Sequence, residues 1–524
     1  MMKPLRPRPN YLPLGRFFSG KAKEDKRLKQ EKWNTVVGLE IHAQISSQSK
    51  LFSGASTKFG TPVNSCVSFF DCATPGTLPV LNRKCVEAGV VTALALSCKI
   101  NEFSLFDRKH YFYADLPAGY QITQQQKPLA IDGIVNFHVF TPGVHKEPYL
   151  KSSKLKQLQL EQDSGKSIHD GSYKMSLINL NRAGIPLMEF VFEPDLSDGE
   201  EAAALVKELK LILERLNTCS CRMDEGALRI DANVSINKLD ESLGVRTEIK
   251  NIGSVRAVAS AINYEIKRQI NEREKGNLIV NETRTWDVVA NKTVPMRSKE
   301  EKLDYRFMPE PNLPPLYIHL DENSENVFNL VDAPYLKSHI PEMPQETRDK
   351  LATHYKVHNA LILVLVNEPA LLDLFFYIVG ENKKRTPQVV AKTLVYQLLA
   401  FLYKNKLNLE FGHVIRDHLG QLIDLFESQK INLNIFVKVL EEISKNPDNS
   451  PEQIIKQNNW FLIADEDELV KICQDLIDHH PNQVEKYKKG KKKLFRFFMN
   501  QIVKVTNERV DMKRVDAILH KLLD

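Results

Sequence analysis

At 524 residues the chain is longer than one ordinary hydrophobic core organises, which points to about two to four domains. Its 42% hydrophobic and 26% charged residues are ordinary globular values, and no apolar run approaches the roughly 18 residues of a bilayer span. The net charge of +6 is local: residues 1–23 hold six basic residues (Lys3, Arg6, Arg8, Arg16, Lys21, Lys23) and no acid, leaving 66 basic against 66 acidic residues elsewhere, which excludes a polycationic body.

The first 32 residues read as a leader. A basic, acid-free N-terminus fits a mitochondrial targeting peptide, and Arg16-Phe17-Phe18-Ser19 resembles a matrix-protease site cut after Phe18. From Trp33 to about residue 325 the text is rich in strands and in Gly and Pro turns. Four segments there alternate apolar and polar residues, the pattern of half-buried strands. Leu39, Ile41, Ala43 and Ile45 oppose Glu40, His42 and Gln44; Leu158 and Leu160 oppose Gln157, Gln159 and Glu161. Ile230, Ala232, Val234 and Ile236 oppose Asp231, Asn233 and Ser235; Val245, Thr247 and Ile249 oppose Arg246, Glu248 and Lys250.

A single polar strand face usually meets only water. These four carry Glu, His, Asp, Asn and Gln rather than Thr, Ser and Lys, the donors that hold Mg²⁺ around phosphates, with Arg246 and Lys250 as charge for a transferring phosphoryl group. Whether the four strands are neighbours is a question for the tertiary structure. Glycine-loop nucleotide motifs are missing: Gly165-Lys166-Ser167 ends like a P-loop, but Leu160 stands where its first glycine belongs. No G-x-S-x-G elbow or Cys-His context supports a nucleophilic hydrolase. The seven cysteines, at 66, 72, 85, 98, 219, 221 and 473, have neither disulfide nor zinc spacing and read as structural thiols.

Beyond about residue 326 long apolar periodic stretches, Asn359–Val379 and Val389–Tyr403, predict helices. From Asn482 the chain holds twelve Lys or Arg against five acids, and Val515, Ile518, Leu519 and Leu522 have helical spacing. The fold class is therefore α+β: an antiparallel-sheet domain (33–325), an all-α domain (326–455) and a small basic helical tail (456–524).

Several stretches together resemble one family. They include Val37-Gly38-Leu39-Glu40-Ile41-His42, Pro75-Gly76-Thr77-Leu78-Pro79, Phe106-Asp107-Arg108-Lys109-His110-Tyr111 and Asn181-Arg182-Ala183-Gly184-Ile185-Pro186. Asp224-Glu225-Gly226-Ala227-Leu228-Arg229, Glu248-Ile249-Lys250-Asn251 and Asp304-Tyr305-Arg306-Phe307-Met308-Pro309 continue the set. These stretches resemble the GatB family, the B subunits of glutamyl-tRNA(Gln) amidotransferases. The resemblance implies a cradle-shaped catalytic domain that works with ATP and Mg²⁺, an amidase A subunit and a small C subunit, on Glu-tRNA(Gln) in the mitochondrial matrix. It implies that the glutamate side chain takes the γ-phosphoryl of ATP and that ammonia made by the amidase then displaces phosphate.

By the same resemblance Glu40, His42, Glu161 and Glu189 are expected metal ligands, and Asp231 and Asn233 cofactor-binding groups. Lys250, Arg182, Arg229 and Arg306 are expected to touch phosphate or the tRNA terminus. Three departures stand out: Gln162 replaces a carboxylate found in many bacterial relatives, Phe69-Phe70-Asp71-Cys72 lacks a Cys-x-x-Cys pair, and the tail motifs around Asn500–Lys504 and Asn507–Arg509 differ. Two other functions stay open at this level. One is a tRNA-binding scaffold without phosphoryl transfer; the other is an ATP-dependent ligase for a small amino acid.

Overall fold

The computed structural model describes residues 33–170, 174–238, 241–296 and 305–523. The leader and its cleavage motif lie outside the described residues. The chain forms two compact units, one ending at Thr347 and the other running from Arg348.

In the first unit the strands, in chain order, begin with β1 (Asn34–Gln44), β2 (Lys99–Ile100), β3 (Phe103–Ser104), β4 (Asp107–His110), β5 (Tyr120–Thr123) and β6 (Ala130–Val139). There follow β7 (Tyr149–Gln162), β8 (Lys166–Asp170), β9 (Met175–Asn179), β10 (Pro186–Phe192), β11 (Leu228–Asn237) and β12 (Thr247–Lys250). The last are β13 (Thr283–Asp287), β14 (Lys292–Pro295), β15 (Arg306–Pro309), β16 (Leu316–His319) and β17 (Val331–Asp332). Three longer helices accompany them: α1 (Arg83–Ala95), α2 (Gly199–Arg215) and α3 (Val255–Glu274).

Nine strands make one sheet in the order β14-β13-β12-β11-β1-β10-β7-β6-β2, antiparallel except for the β12–β13 pair. All four alternating segments therefore share one sheet, and β10 separates β1 from β7. The fourth segment is shorter than its alternation, because residues 245 and 246 precede the ladder. Period-two alternation puts Leu39, Ile41, Ala43, Leu158, Leu160, Ile230, Ala232, Val234 and Ile249 on one buried face, each no more than 1% exposed. Helices cover that face: α1 packs on β7, α2 on β6 and α3 on β11. Gly89 lets α1 approach closely, since a Cβ there would lie 2.6 Å from a Leu129 methyl. Side chains cap each helix start, Asn82 for α1, Asp198 for α2 and Ser254 for α3. On the polar side the small sheet β15-β4-β5 reaches β7 through β5.

The second unit is helical and holds two buried apolar clusters, one from Leu351 to Ile455 and one from Ile463 to Leu523. The stretch predicted as one helix over Asn359–Val379 is two, Asn359–Asn367 and Pro369–Glu381, bent by 116°. Pro369 explains the break: it disfavours helix at Glu368 and supplies no N–H. Among the described residues no single helix is long and apolar enough to cross a membrane. Helix Met512–Leu523 buries Val515, Ile518, Leu519 and Leu523. Within this unit the Asn432 amide donates to the carbonyls of Glu508 and Val510 and ties the second cluster to the first.

Candidate metal and phosphoryl-transfer site

Register builds the site. His42 on β1 lies opposite Glu189 on β10 and Arg229 on β11, and Glu40 lies opposite Asp231. Glu189 in turn lies opposite Gln159 on β7, two residues from Glu161 on the same face. The result is a polar row across four strands on the side of the sheet opposite α1, α2 and α3.

His42 Nε2 is 3.9 Å from an oxygen of Glu161 and 3.9 Å from one of Glu189, and one donor atom from each residue falls within 4.8 Å of the other two. The carboxylates are held in place. The Gln121 amide donates to Glu161 Oε1 at 2.7 Å, and the Gln159 amide donates to Glu189 Oε2 at 2.7 Å. Glu161 Oε2 is buried with no hydrogen-bond partner among the described residues. Burial, reinforced by Glu189, pushes the Glu161 carboxyl up to about 7. Burial also raises Glu189 and lowers His42, which keeps the imidazole neutral and able to ligate. Two buried acids, a neutral imidazole and an orphaned carboxylate oxygen fit a hard divalent cation, whose charge would relieve all of these costs.

Glu40 lies on the same face of β1. Asn233 donates to Glu40 Oε1 at 3.3 Å, and burial followed by Glu248 and Asp231 raises the Glu40 carboxyl. Asp231 accepts the Asn251 backbone N–H at 3.0 Å. Lys250 pairs with Glu248 at 3.7 Å; burial alone would lower its ammonium pKa, but Glu248 and Asp231 outweigh it and hold the value high. Glu40, Asp231, Asn233 and Lys250 thus form a second group beside the His42 cluster.

Arg229, opposite His42 in the ladder, converges with Arg182 on one further carboxylate. Both meet Asp163, Arg182 at 3.5 Å and Arg229 at 3.0 Å, and Arg182 also donates to the Ser164 and Gly165 carbonyls. Arg306, on β15 opposite His110, is exposed and makes no ion pair among the described residues. The expected residues therefore form three sets rather than one, with Arg306 apart.

Sequence reasoning misses Lys109 as a functional residue. Burial alone would depress its ammonium, yet Glu161, Glu189 and Glu40 outweigh that and keep its pKa high. Its Nζ also lies over the Tyr305 ring, 4.9 Å from the centroid. β4 has only four residues, too few to show a face, so the family stretch Phe106–Tyr111 was the signal available. Gln121 was missed for the same reason: β5 is equally short. A separate cavity of about 400 Å³ adjoins the cluster, lined by Asp71, Arg108, Tyr120, Gln162 and Asp163 among others and by none of His42, Glu161 or Glu189. All seven cysteines are free thiols, and Cys85, Cys219, Cys221 and Cys473 are buried.

Comparison with known proteins identifies the family. Residues 35–323 match the GatB/GatE catalytic domain and residues 373–523 the GatB domain. A relative from Aedes aegypti, the mitochondrial B subunit of glutamyl-tRNA(Gln) amidotransferase, is 51% identical over 97% of this chain and 96% of its own length. The Homo sapiens protein of that name is 45% identical over 94% of this chain and 89% of its own. The B subunit of the aspartyl/glutamyl-tRNA(Asn/Gln) amidotransferase of Rickettsia typhi is 41% identical over 94% and 98%.

Proposed function

This chain belongs to the GatB family of amidotransferase B subunits, and from that premise we propose how its sheet face performs the reaction. The protein is one component of a tRNA-dependent amidotransferase, a mitochondrial one like its Aedes and human relatives. The family is ATP-dependent. Our reading is that it phosphorylates the side chain of Glu-tRNA(Gln) and amidates it in the mitochondrial matrix, beside an amidase A subunit and a small C subunit.

In the first step a carboxylate oxygen of the tRNA-borne glutamate attacks the γ-phosphorus, and the bond to ADP breaks. In the second, ammonia nitrogen attacks the acyl carbon, phosphate leaves and the nitrogen loses a proton. Neither step needs a nucleophilic side chain, and catalysis rests on position and charge. His42, Glu161 and Glu189, with Glu40 beside them, would hold magnesium, which when bound offsets negative charge on the transferring group. Gln121, Gln159 and Asn233 fix the carboxylates by hydrogen bonds. Lys109 and Lys250 supply ammonium charge on the same face, and Arg182 and Arg229 stiffen the turn at Asp163. The exposed lysines between Lys488 and Lys493 suit the phosphate backbone of the tRNA.

The observation that carries this reading is the group of three donor atoms within 4.8 Å beside the orphaned Glu161 oxygen. The test is reconstitution with the A and C subunits and Glu-tRNA(Gln). The double variant E40A/H42A should abolish ATP-dependent Gln-tRNA(Gln) formation and leave tRNA binding intact. Unchanged amidation would sink the metal assignment. Gln162, the one hint of the scaffold alternative, lines the neighbouring cavity, which His42, Glu161 and Glu189 do not.

A further inference from the structure

Gln121 joins the small sheet β15-β4-β5 to the metal cluster, and its amide is fully committed. It lies on β5 opposite Lys109 of β4 and is buried. Its nitrogen donates to Glu161 Oε1 at 2.7 Å and to the Gln162 carbonyl at 2.6 Å, which uses both N–H groups. Its oxygen accepts the Tyr111 hydroxyl at 2.9 Å. The Glu161 carboxylate and the Gln162 carbonyl can only accept. The amide oxygen therefore faces Tyr111, and the phenol must donate.

Local geometry brings Tyr111 to this point. It directly follows β4, its N–H donates to the Gly119 carbonyl at 3.2 Å, and it lies two residues beyond Lys109. Continued strand pairing thus puts Tyr111 and Lys109 on one face. Burial, and then the nearby Glu161 and Asp163, push the Tyr111 hydroxyl above the ordinary phenol value, so it keeps the proton it donates. Its ring meets Tyr305 edge-on, with centroids 5.7 Å apart, and the Lys109 ammonium lies over Tyr305. The ring and the hydroxyl of Tyr111 therefore have separate partners.

We propose that Tyr111 is a positioning residue for the metal site: its hydroxyl fixes the Gln121 amide, and that amide holds Glu161 in the orientation that ligates magnesium. This rests on the metal reading above. Without the hydroxyl the buried amide oxygen has no donor, and the amide turns to find one. Glu161 then loses the hydrogen bond that orders it, and metal binding has to order it instead.

The experiment titrates the reconstituted complex with Mn²⁺, without ATP or tRNA, and follows the electron paramagnetic resonance signal of free Mn²⁺. It reads the site that His42→Ala removes. Tyr111→Phe, which keeps the ring, should weaken Mn²⁺ at that site about tenfold or more, and Gln121→Leu by a similar factor. The double variant Tyr111→Phe/Gln121→Leu should match Gln121→Leu alone within about threefold, because the hydroxyl acts only through the amide. The magnesium needed for half-maximal amidation should rise with the Mn²⁺ dissociation constant in each variant. Mn²⁺ binding by Tyr111→Phe equal to that of the unaltered complex overturns the proposal and leaves Tyr111 a packing role alone. Losses that multiply in the double variant also overturn it, by showing that hydroxyl and amide act separately. Mn²⁺ binding that survives His42→Ala in full is a different result and would overturn the metal reading itself.

Discussion

His42 on β1 faces Glu189 on β10 directly across the ladder, and its Nε2 lies 3.9 Å from a carboxylate oxygen of Glu189 and 3.9 Å from one of Glu161, which β7 supplies from beyond β10. Three strands thereby aim one donor each at a single point. Replacing one donor removes a ligand without unfolding a sheet whose opposite face carries the core. His42→Ala and Glu189→Gln should each weaken magnesium activation of amidation by about 100-fold or more, with tRNA affinity unchanged. Titration of activity against magnesium checks this, and an unshifted magnesium curve in both variants would refute it.

A buried carboxyl held up to about 7 makes stability depend on pH. Between its ordinary value of 4.5 and 7, folded Glu161 keeps a proton that the unfolded chain has released. Its contribution to stability is therefore present below that window and is lost as pH rises through it. Magnesium should counter the loss, since binding expels the proton. Thermal unfolding of the metal-free chain at about pH 5.5 and 7.5, compared with Glu161→Gln, isolates this contribution: the variant should lose that part of the pH dependence. Identical pH profiles for the two proteins would contradict the assignment.

Lys109 keeps its charge because Glu161, Glu189 and Glu40 surround it. Lys109→Met should lower amidation roughly tenfold or more. It should also raise the Glu161 carboxyl further, because the Lys109 ammonium is one of the charges that hold that carboxyl down. Steady-state kinetics for ATP will show whether the loss falls on kcat. Full activity in Lys109→Met would make this lysine structural.

The buried pair Lys50–Asp71 makes a stability prediction independent of chemistry. Asp71 also accepts from Ser53 Oγ and the Ser68 N–H, and Gly184, at φ +81°, leaves room for it: a Cβ there would lie 2.7 Å from Asp71 Oδ1. Lys50→Met strands a buried carboxylate and should cost about 3–5 kcal/mol. Denaturant unfolding measures it, and Lys50→Met/Asp71→Asn should recover part of the loss.

The exposed lysines of the tail predict salt-dependent RNA binding. Exchanging Lys488, Lys491 and Lys493 for Glu should weaken tRNA binding most at low salt and flatten the slope of log affinity against log salt. Fluorescence anisotropy across a salt series checks both. An unchanged slope would make the cluster a solvated surface.

The strands that hold the site were legible because β1, β7 and β11 are long enough for alternation to show, and alternation alone put Glu40, His42, Glu161, Asp231 and Asn233 on polar faces. Glu189 was different. β10 reads Pro-Leu-Met-Glu-Phe-Val-Phe, nearly continuous apolar text, because it is covered on both faces, and only the family resemblance singled it out. Lys109 and Gln121 come from strands of four residues, where no period exists to read.

The sequence by itself determined the class of the longer periodic elements, the polar character of their strand faces and the family. Local chemistry suffices for that: periodicity, turn residues and motif spelling are properties of neighbouring positions. Only the tertiary structure decided that β10 enters between β1 and β7, that Arg182 and Arg229 go to Asp163 while Arg306 does not, and that Gln162 lines a cavity in which His42, Glu161 and Glu189 take no part. Strand order and ladder register bring together residues more than a hundred positions apart, such as His42 and Glu161. Those pairings are set by the packing of the whole apolar face against α1, α2 and α3, which no local pattern encodes.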